Sequence, residues 1–387
     1  MQPLDGLRTM AIAFVVLYHV HLPFFTGGFI GVNVFYVLSG YLITSLLLAE
    51  RKKTGRIRLG RFWGRRLLRL YPGLLAVVVV VGCLWFAVGG YYGSNVDVWT
   101  EVLLALTYTA NVGRWLFHKS MGVLSQTWSL AMEEQFYLAW PPLLALALAR
   151  RASRLIIMIA LGALVVGFSV LGAVLYEPRN GATPDIYFSP ILNAGPLLTG
   201  CLLAVAFTSP GFVSALRGRL GRAATWVGAL ALVSIELAIV SGWQQQRVVF
   251  GVVLPVVGIA SGLLIAGLVG RESVISRALS VAPVAWFGRN VSYALYLWHI
   301  VVFAIIVPLV PGIMGKFAAV LASVVVAIAS HYIIELPVAR LRRKFVTLPV
   351  THGPRVTIEG QEGSRRHVSA PAADHREPVG VGGHRAP

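Results

Sequence analysis

The chain contains 387 residues, of which 57% are hydrophobic and 12% are charged, and its mean hydropathy is +0.76. Soluble domains are only about 45–50% apolar, so this composition excludes an ordinary soluble domain and indicates repeated membrane spans. The formal net charge of +18 is as high as that of many nucleic-acid-binding proteins, but its distribution along the chain favours a different explanation.

Arginine and lysine concentrate in alternate connections between the apolar segments. The connections at 50–69, 150–154, 208–223, 270–289 and 340–344 together hold twenty-two of them, whereas the other connections hold five. An excess of basic residues is typical of the cytoplasmic loops of membrane proteins. The charge therefore predicts the orientation of a membrane protein, with both termini in the cytoplasm, and no nucleic-acid partner.

Ten apolar segments are long enough to cross a bilayer and predict an all-α, polytopic integral membrane helical bundle of about ten transmembrane helices. They cover residues 7–24, 29–48, 70–89, 130–149, 155–175, 189–207, 224–242, 248–269, 290–310 and 317–336. If the apolar segment at 98–117 were an eleventh span, the later basic loops would lie outside the cell while the 50–69 loop stayed inside. We therefore interpret this segment as re-entrant or interfacial. We expect a membrane domain at 1–344 and a disordered cytoplasmic tail, rich in glycine, proline and charge, at 345–387.

Two ionisable residues, Arg8 and His19, lie in the first predicted span. They are eleven residues apart, which is about three helical turns, so they share one helix face at a separation of roughly 16 Å. Ionisable groups inside a membrane helix are energetically costly and commonly mark a functional site. Two interpretations are open: a catalytic imidazole above a cation, or an interfacial anchor with a histidine that hydrogen-bonds a neighbouring helix.

The second span and the loop after it carry the next polar groups. Arg66 and Arg69 are three residues apart on one helix face, where two guanidiniums suit a phosphate-bearing ligand. Attraction of both arginines to anionic lipid head groups is the alternative. Ser39 and Gly40 lie within the second span, where small residues usually allow close helix packing.

Two adjacent glutamates, Glu133 and Glu134, enter the fourth span. They point about 100° apart on a helix and so do not form a facing acid–base pair. Glu133 falls alongside Tyr137 one turn later, while Glu134 shares a second stripe with it. The glutamates are candidates either for the chemistry or for counter-ions of the arginine-bearing segments.

The last two spans contain further polar spacings. Ser292, Tyr296 and His299 share one face of the ninth span, and the spacing of His331 and Glu335 in the last span predicts an intrahelical pair. No histidine spacing in the chain resembles a metal motif, and the two cysteines lie in separate apolar segments. Neither a zinc site nor a disulfide is predicted.

Six stretches of the sequence, in this order, resemble the motifs of the acyltransferase 3 family of integral membrane O-acyltransferases. They are LDGLRTMAIAFVVLYH, FIGVNVFYVLSGYLIT, RRLLRLYP, TWSLAMEEQFYLAWP, SYALYLWH and IELP, within residues 4–343. The resemblance implies ten core spans and transfer of an acyl group, commonly acetyl, from cytoplasmic acyl-CoA to a carbohydrate hydroxyl. Acceptors typical of the family are cell-envelope polysaccharide, lipopolysaccharide, peptidoglycan and glycosylated natural products.

Matching positions extend the resemblance to single residues. Arg8 and His19 match the family's R-x10-H motif, Ser39 and Gly40 its S-G-F motif, and Arg66 and Arg69 its R-x-x-R motif. The chain departs from the family at Tyr41, where phenylalanine is usual. It also has Asn193 and Pro196 where the family often has an arginine and an acidic residue. We expect no esterase domain of the SGNH type, which some members of the family carry, and we expect the chemistry to lie within the membrane unit.

Residues and resemblance together predict one mechanism, with acyl-CoA as donor substrate and no bound cofactor. Arg66, Arg69 and Arg8 bind the donor phosphates, and His19 acts as general base on the acceptor hydroxyl. Glu133 or Glu134 orients the imidazole or balances an arginine. The remaining substrate-binding candidates are Ser39, Tyr137, Tyr296 and His299.

Several alternatives stay open at the level of sequence. A covalent acyl-histidine is the variant mechanism, and a multi-span transporter or flippase of a carbohydrate or lipid-linked substrate is the alternative function. An accessory protein that passes acyl groups to a partner is a third class. The acceptor, the acyl chain length and the oligomeric state are not determined.

Overall fold

The computed structural model describes residues 2–88, 97–176, 185–240 and 249–345, and within these ranges every regular element is a helix. The α-helices are α1 (Gln2–His19), α2 (Ile30–Thr54), α3 (Leu59–Val88), α4 (Val98–Leu106), α5 (Ala110–Phe117), α6 (Thr127–Ala149), α7 (Arg154–Val174), α8 (Pro190–Ala206), α9 (Pro210–Arg217), α10 (Arg219–Val240), α11 (Leu254–Gly270), α12 (Val274–Leu279), α13 (Ala282–Asn290), α14 (Ser292–Leu309), α15 (Gly312–Ser330) and α16 (Leu336–Phe345). The predicted all-α fold is confirmed. The predicted tail lies outside the described residues, apart from Phe345.

Seven helical segments of the described chain are long and apolar enough to cross a membrane, and the bent pair of α8 and α9 is an eighth candidate. The two helices of that pair meet at 97°. Each of the ten predicted spans coincides with a helix, but α1 and α6 are not among the eight. Each of these two helices carries a pair of ionisable candidate site residues, Arg8 and His19 in α1 and Glu133 and Glu134 in α6. A multi-pass helical bundle is therefore supported, while the number ten stays a prediction.

The segment at 98–117 folds as the two short helices α4 and α5. Their nine and eight residues rise about 14 Å and 12 Å, far less than the bilayer core of about 30 Å. Asp97 caps α4 by accepting a hydrogen bond from the backbone N–H of Trp99 at 3.1 Å. The Thr100 hydroxyl also donates to this carboxylate and holds the pKa of Asp97 below its ordinary value.

Glycines allow the central helices to approach closely. A Cβ atom at Gly40 of α2 would lie 2.0 Å from the carbonyl oxygen of Leu197 in α8, and one at Gly200 would lie 2.1 Å from that of Val37. No side chain fits at such distances, so the backbones of α2 and α8 touch only because both residues are glycine. The close-packing interpretation of Gly40 is confirmed.

The first helix packs against helices from the later part of the chain, between residues 274 and 309. α1 packs on α2, α12, α13 and α14, and its residues Ile12 and Val15 are fully buried. A Cβ atom at Gly288 of α13 would lie 1.8 Å from the carbonyl oxygen of Asp5. This close approach places two histidine-bearing helices, α1 and α14, side by side.

Candidate active site

A cavity of about 310 Å³ lies where α1, α2, α3, α6 and α14 meet, near the helix ends that adjoin the arginine-rich 50–69 connection. It is within the size range of small-molecule sites. Seven of the ten residues that the sequence selects line it: Arg8, Ser39, Arg66, Arg69, Glu133, Tyr137 and Tyr296. The other three, His19, Glu134 and His299, lie beyond its lining.

Arg66 is surrounded by groups that balance its charge. Its guanidinium lies 3.6 Å from Glu133 and 3.1 Å from Glu134, and it stacks 3.3 Å above the centroid of the Tyr137 ring. Glu133 also accepts hydrogen bonds from Ser39 at 3.1 Å and from the Tyr137 hydroxyl at 3.0 Å. The arrangement is a closed ionic network, in which both glutamates serve as counter-ions of one arginine.

Arg69, one helical turn further along α3, is in a different situation. Its side chain is exposed to the cavity, and none of the ion pairs between described residues involves it. Arg8 approaches Asp5 at 3.3 Å, but Asp5 is shared with Arg289, which donates to it at 2.8 and 3.1 Å. The cavity thus has a local excess of positive charge, contributed by Arg69 and Arg8.

The two histidines form a pair beyond the cavity. Nε2 of His299 lies 3.3 Å from Nδ1 of His19, and the ring centroids are 5.0 Å apart. Nδ1 of His19 also lies 2.9 Å from the carbonyl oxygen of Val15. Nδ1 of His299 faces the carbonyl oxygens of Tyr296 at 2.8 Å and Leu295 at 3.1 Å. His299 is fully buried, whereas His19 is partly accessible.

The neighbour of His19 differs from the one that the sequence suggests. Glu133 and Glu134 both face Arg66, and neither hydrogen-bonds the imidazole within the described chain. The glutamates were expected either to orient the imidazole or to balance the charge of an arginine, and the structure shows the second arrangement. Among the described residues, the side chain within hydrogen-bonding distance of the His19 imidazole is that of His299, 280 residues later in the chain.

A hydrogen-bonded cluster separates the cavity from the histidine pair. The Tyr296 hydroxyl donates to the backbone oxygen of Gln126 at 3.0 Å and shares a hydrogen bond with the hydroxyl of Ser129. The Tyr36 hydroxyl donates to the Ser129 backbone oxygen at 3.4 Å. The Tyr296 ring also contacts that of His299, with centroids 5.7 Å apart. Tyr296 therefore touches both the cavity and the histidine pair.

Aromatic groups cover the other side of His19. The Tyr18 ring lies edge-on to the His19 imidazole, with ring centroids 5.0 Å apart. Arg114 of α5 stacks 3.7 Å above the ring of Phe188, which in turn contacts Tyr187 at 5.3 Å. Such a combination of rings and a cation suits a polar ligand with apolar faces.

Two of the three positions where the chain departs from the family motifs, Asn193 and Tyr41, have clear local roles. Asn193 of α8 donates to the carbonyl oxygens of Tyr187 at 2.6 Å and Ser189 at 3.0 Å, so it stabilises the turn that precedes its own helix. Tyr41 lines the cavity and packs edge-on against Phe207. Neither side chain reproduces a guanidinium in the cavity.

Sequence reasoning missed the ion pair between Asp5 and Arg289. Asp5 lies three residues before Arg8, on the same helix face, and that spacing was a usable signal. Arg289 follows 284 residues later and gives no local signal of its partner. The i, i+4 pair of His331 and Glu335, by contrast, is confirmed at 3.2 Å.

The sequence is similar to known proteins over most of its length. A family model described as an acyltransferase domain, the domain of the acyltransferase 3 family, matches residues 2–336. The peptidoglycan O-acetyltransferase OatA of Listeria monocytogenes is 31% identical over 357 residues, and the putative peptidoglycan O-acetyltransferase YrhL of Bacillus subtilis is 31% identical over 354 residues. The O-acetyltransferase OatA of Staphylococcus aureus is 32% identical over 322 residues.

These alignments cover most of this chain and part of each relative. They include 87% of the chain with 55% of the Listeria protein, 87% with 54% of the Bacillus protein, and 76% with 49% of the Staphylococcus protein. The chain therefore spans about half the length of these relatives. No solved structure matches it.

Proposed function

Since the chain belongs to the acyltransferase 3 family, we propose that it is a membrane O-acyltransferase that moves an acyl group, most simply acetyl, from acyl-CoA to a carbohydrate hydroxyl. The observation that carries the proposal is a cavity with two arginines, one without an ion pair among the described residues and one that shares its carboxylate. This cavity ends one helical turn from a histidine pair. An anionic donor, a narrow channel and a base are what such a transfer requires.

The donor enters from the predicted cytoplasmic side. Arg69 and Arg8 bind its phosphates. Among the described residues, the Arg69 guanidinium has no carboxylate partner, and the Arg8 guanidinium has only Asp5, which it shares with Arg289. The cavity of about 310 Å³ takes the slender pantetheine arm, while the nucleotide stays at the mouth. Arg66 holds the wall of the channel together with its two glutamates.

The chemistry takes place at His19. Its imidazole removes the proton of the acceptor hydroxyl as the oxygen attacks the thioester carbonyl. The carbon–sulfur bond then breaks, and the proton passes from the imidazole to the departing thiolate, so that ester and free CoA leave. The Ser129 and Tyr296 hydroxyls, whose hydrogen bond closes the cavity, must separate to admit the thioester.

The acceptor approaches from the opposite face, next to the aromatic groups around Tyr18 and Phe188. The names of the relatives make peptidoglycan the first acceptor to test. The basic connections support a location in the cell membrane with both termini in the cytoplasm.

The test is acyl transfer by the purified protein in lipid vesicles, with radiolabelled acetyl-CoA and peptidoglycan fragments. We expect His19→Ala to lower kcat by about 10²–10⁴-fold, the usual contribution of a general base. His21→Ala is the matched control, because its exposed side chain lies only two residues further on and makes no hydrogen bond in the described structure. Full activity of a folded His19→Ala protein would refute the mechanism.

A second measurement separates the enzyme from a transporter. Titration of the protein with CoA measures donor binding without an acceptor. An enzyme binds the donor, and Arg69→Gln weakens that binding. A transporter of carbohydrate or lipid-linked substrates has no reason to bind CoA, so absence of binding would contradict the proposed activity.

A further inference from the structure

We infer that His299 is a positioning residue, which fixes the tautomer of His19 so that Nδ1 carries the proton and Nε2 is the free base. The inference rests on the proposed function only in that it gives the tautomer a catalytic purpose. The geometry itself concerns the side chains of His19 in α1 and His299 in α14, two residues that are 280 positions apart in the sequence.

The first step is the protonation of His299. Its Nδ1 lies 2.8 Å from the carbonyl oxygen of Tyr296 and 3.1 Å from that of Leu295. Carbonyl oxygens only accept hydrogen bonds, so Nδ1 must carry a hydrogen. The ring is fully buried and no carboxylate pairs with it in the described structure, which disfavours a charged imidazolium. A neutral ring has one N–H group, and Nε2 of His299 is therefore an acceptor.

The second step is the protonation of His19. Its Nδ1 faces two groups, the carbonyl oxygen of Val15 at 2.9 Å and Nε2 of His299 at 3.3 Å. Both are acceptors, so Nδ1 of His19 must donate. The other nitrogen, Nε2, then keeps its lone pair, and it has no hydrogen-bond partner among the described residues. This nitrogen is the one that can take a proton from a substrate.

The alternative tautomer is penalised by the same contacts. A hydrogen on Nε2 of His19 would leave two nitrogen lone pairs facing each other at 3.3 Å and would deprive Val15 of its side-chain donor. Such a pair of unmatched acceptors in a buried place is unfavourable. His299 thus does for His19 what an orienting carboxylate does for a histidine base, but without a second buried charge.

A neutral orienting group has a mechanistic consequence. After His19 takes a proton it becomes a cation whose nearest ring partner is uncharged, so the charged state is not stabilised by an ion pair. The proton is therefore passed on readily to the leaving thiolate.

Two variants of His299 test the inference through kinetics. His299→Gln keeps a side-chain oxygen that accepts from Nδ1 of His19, whereas His299→Phe fills the space without an acceptor. We expect His299→Phe to lower kcat by about tenfold to a hundredfold with KM for acyl-CoA within about twofold, and His299→Gln to restore most of kcat. Equal kcat values for the two variants would overturn the inference.

The protonation state itself is measured on the wild-type protein. Nitrogen-15-labelled histidine in vesicles gives separate signals for protonated and unprotonated ring nitrogens, and the His19 signals are those lost in His19→Ala. We expect a protonated Nδ1 and an unprotonated Nε2 at neutral pH. The opposite pattern would overturn the inference even if His299→Phe fails to fold. An active His19→Ala variant would instead refute the proposed function, so the two failures are distinguishable.

Discussion

Arg289 donates two hydrogen bonds to the carboxylate of Asp5, at 2.8 and 3.1 Å, and so connects α13 to the first turn of α1. The same carboxylate accepts from Arg8 at 3.3 Å. Asp5 therefore pairs with a cavity arginine, Arg8, and is itself held by Arg289, 284 residues later in the chain.

We expect Asp5→Asn to destabilise the protein by about 1 kcal/mol, because its ion pairs with Arg8 and Arg289 are lost but Arg289 is half exposed. Release of Arg8 should also raise KM for acyl-CoA. Thermal unfolding in detergent and donor kinetics measure the two effects. Glu272→Gln, an exposed carboxylate with no ion pair in the described structure, is the control. An unchanged KM would show that the orientation of Arg8 is unimportant.

Arg69→Gln should weaken donor binding and leave stability intact. The guanidinium has no ion-pair partner to lose among the described residues, and a missing phosphate contact corresponds to about 1.4 kcal/mol, or a tenfold rise in KM. Added salt should reduce the difference from wild type, since the contact is electrostatic. Titration calorimetry with CoA at two ionic strengths measures it. A lower unfolding temperature with normal affinity would contradict this role.

Arg66→Gln should have the opposite profile. It leaves Glu133 and Glu134 without their shared cation in a largely buried place, and we expect a loss of about 3 kcal/mol in the free energy of unfolding. Adding Glu134→Gln to the variant should recover part of that loss, because one uncompensated charge is removed. If Arg66→Gln keeps wild-type stability and raises KM as Arg69→Gln does, then Arg66 contacts the donor directly.

Gly40→Ala should be severely destabilising, because its new methyl group would meet the Leu197 carbonyl oxygen at 2.0 Å. We expect a loss of about 3 kcal/mol or more, from overpacking between backbones that cannot yield independently. Gly162→Ala in α7 is the matched control, with no atom within 4 Å of its Cβ position, and should gain up to about 1 kcal/mol. Similar unfolding temperatures for the two variants would contradict the close approach of α2 and α8.

The order and type of the elements could be predicted because they depend on local periodicity. A run of apolar residues specifies a helix wherever it is, and a spacing of three or four specifies which side chains share a face. The pair of His331 and Glu335 was predictable for this reason, whereas the common face of Arg8 and His19 and the re-entrant or interfacial placement of 98–117 stay predictions. The orientation of the chain in the membrane stays a prediction, which rests only on the basic composition of the loops.

Contacts between helices depend instead on packing across hundreds of residues. Arg66 and Arg69 occupy equivalent positions in the sequence motif. In the structure, however, two glutamates of α6 pair with Arg66, whereas Arg69 faces the cavity. Likewise, His19 alone has an undefined tautomer, and only the approach of α14 brings His299 within 3.3 Å of it. By itself, the sequence determined which helices form and which faces are polar. Tertiary structure decided which charges are neutralised and which side chain faces the His19 imidazole, because both depend on a partner that no local pattern encodes.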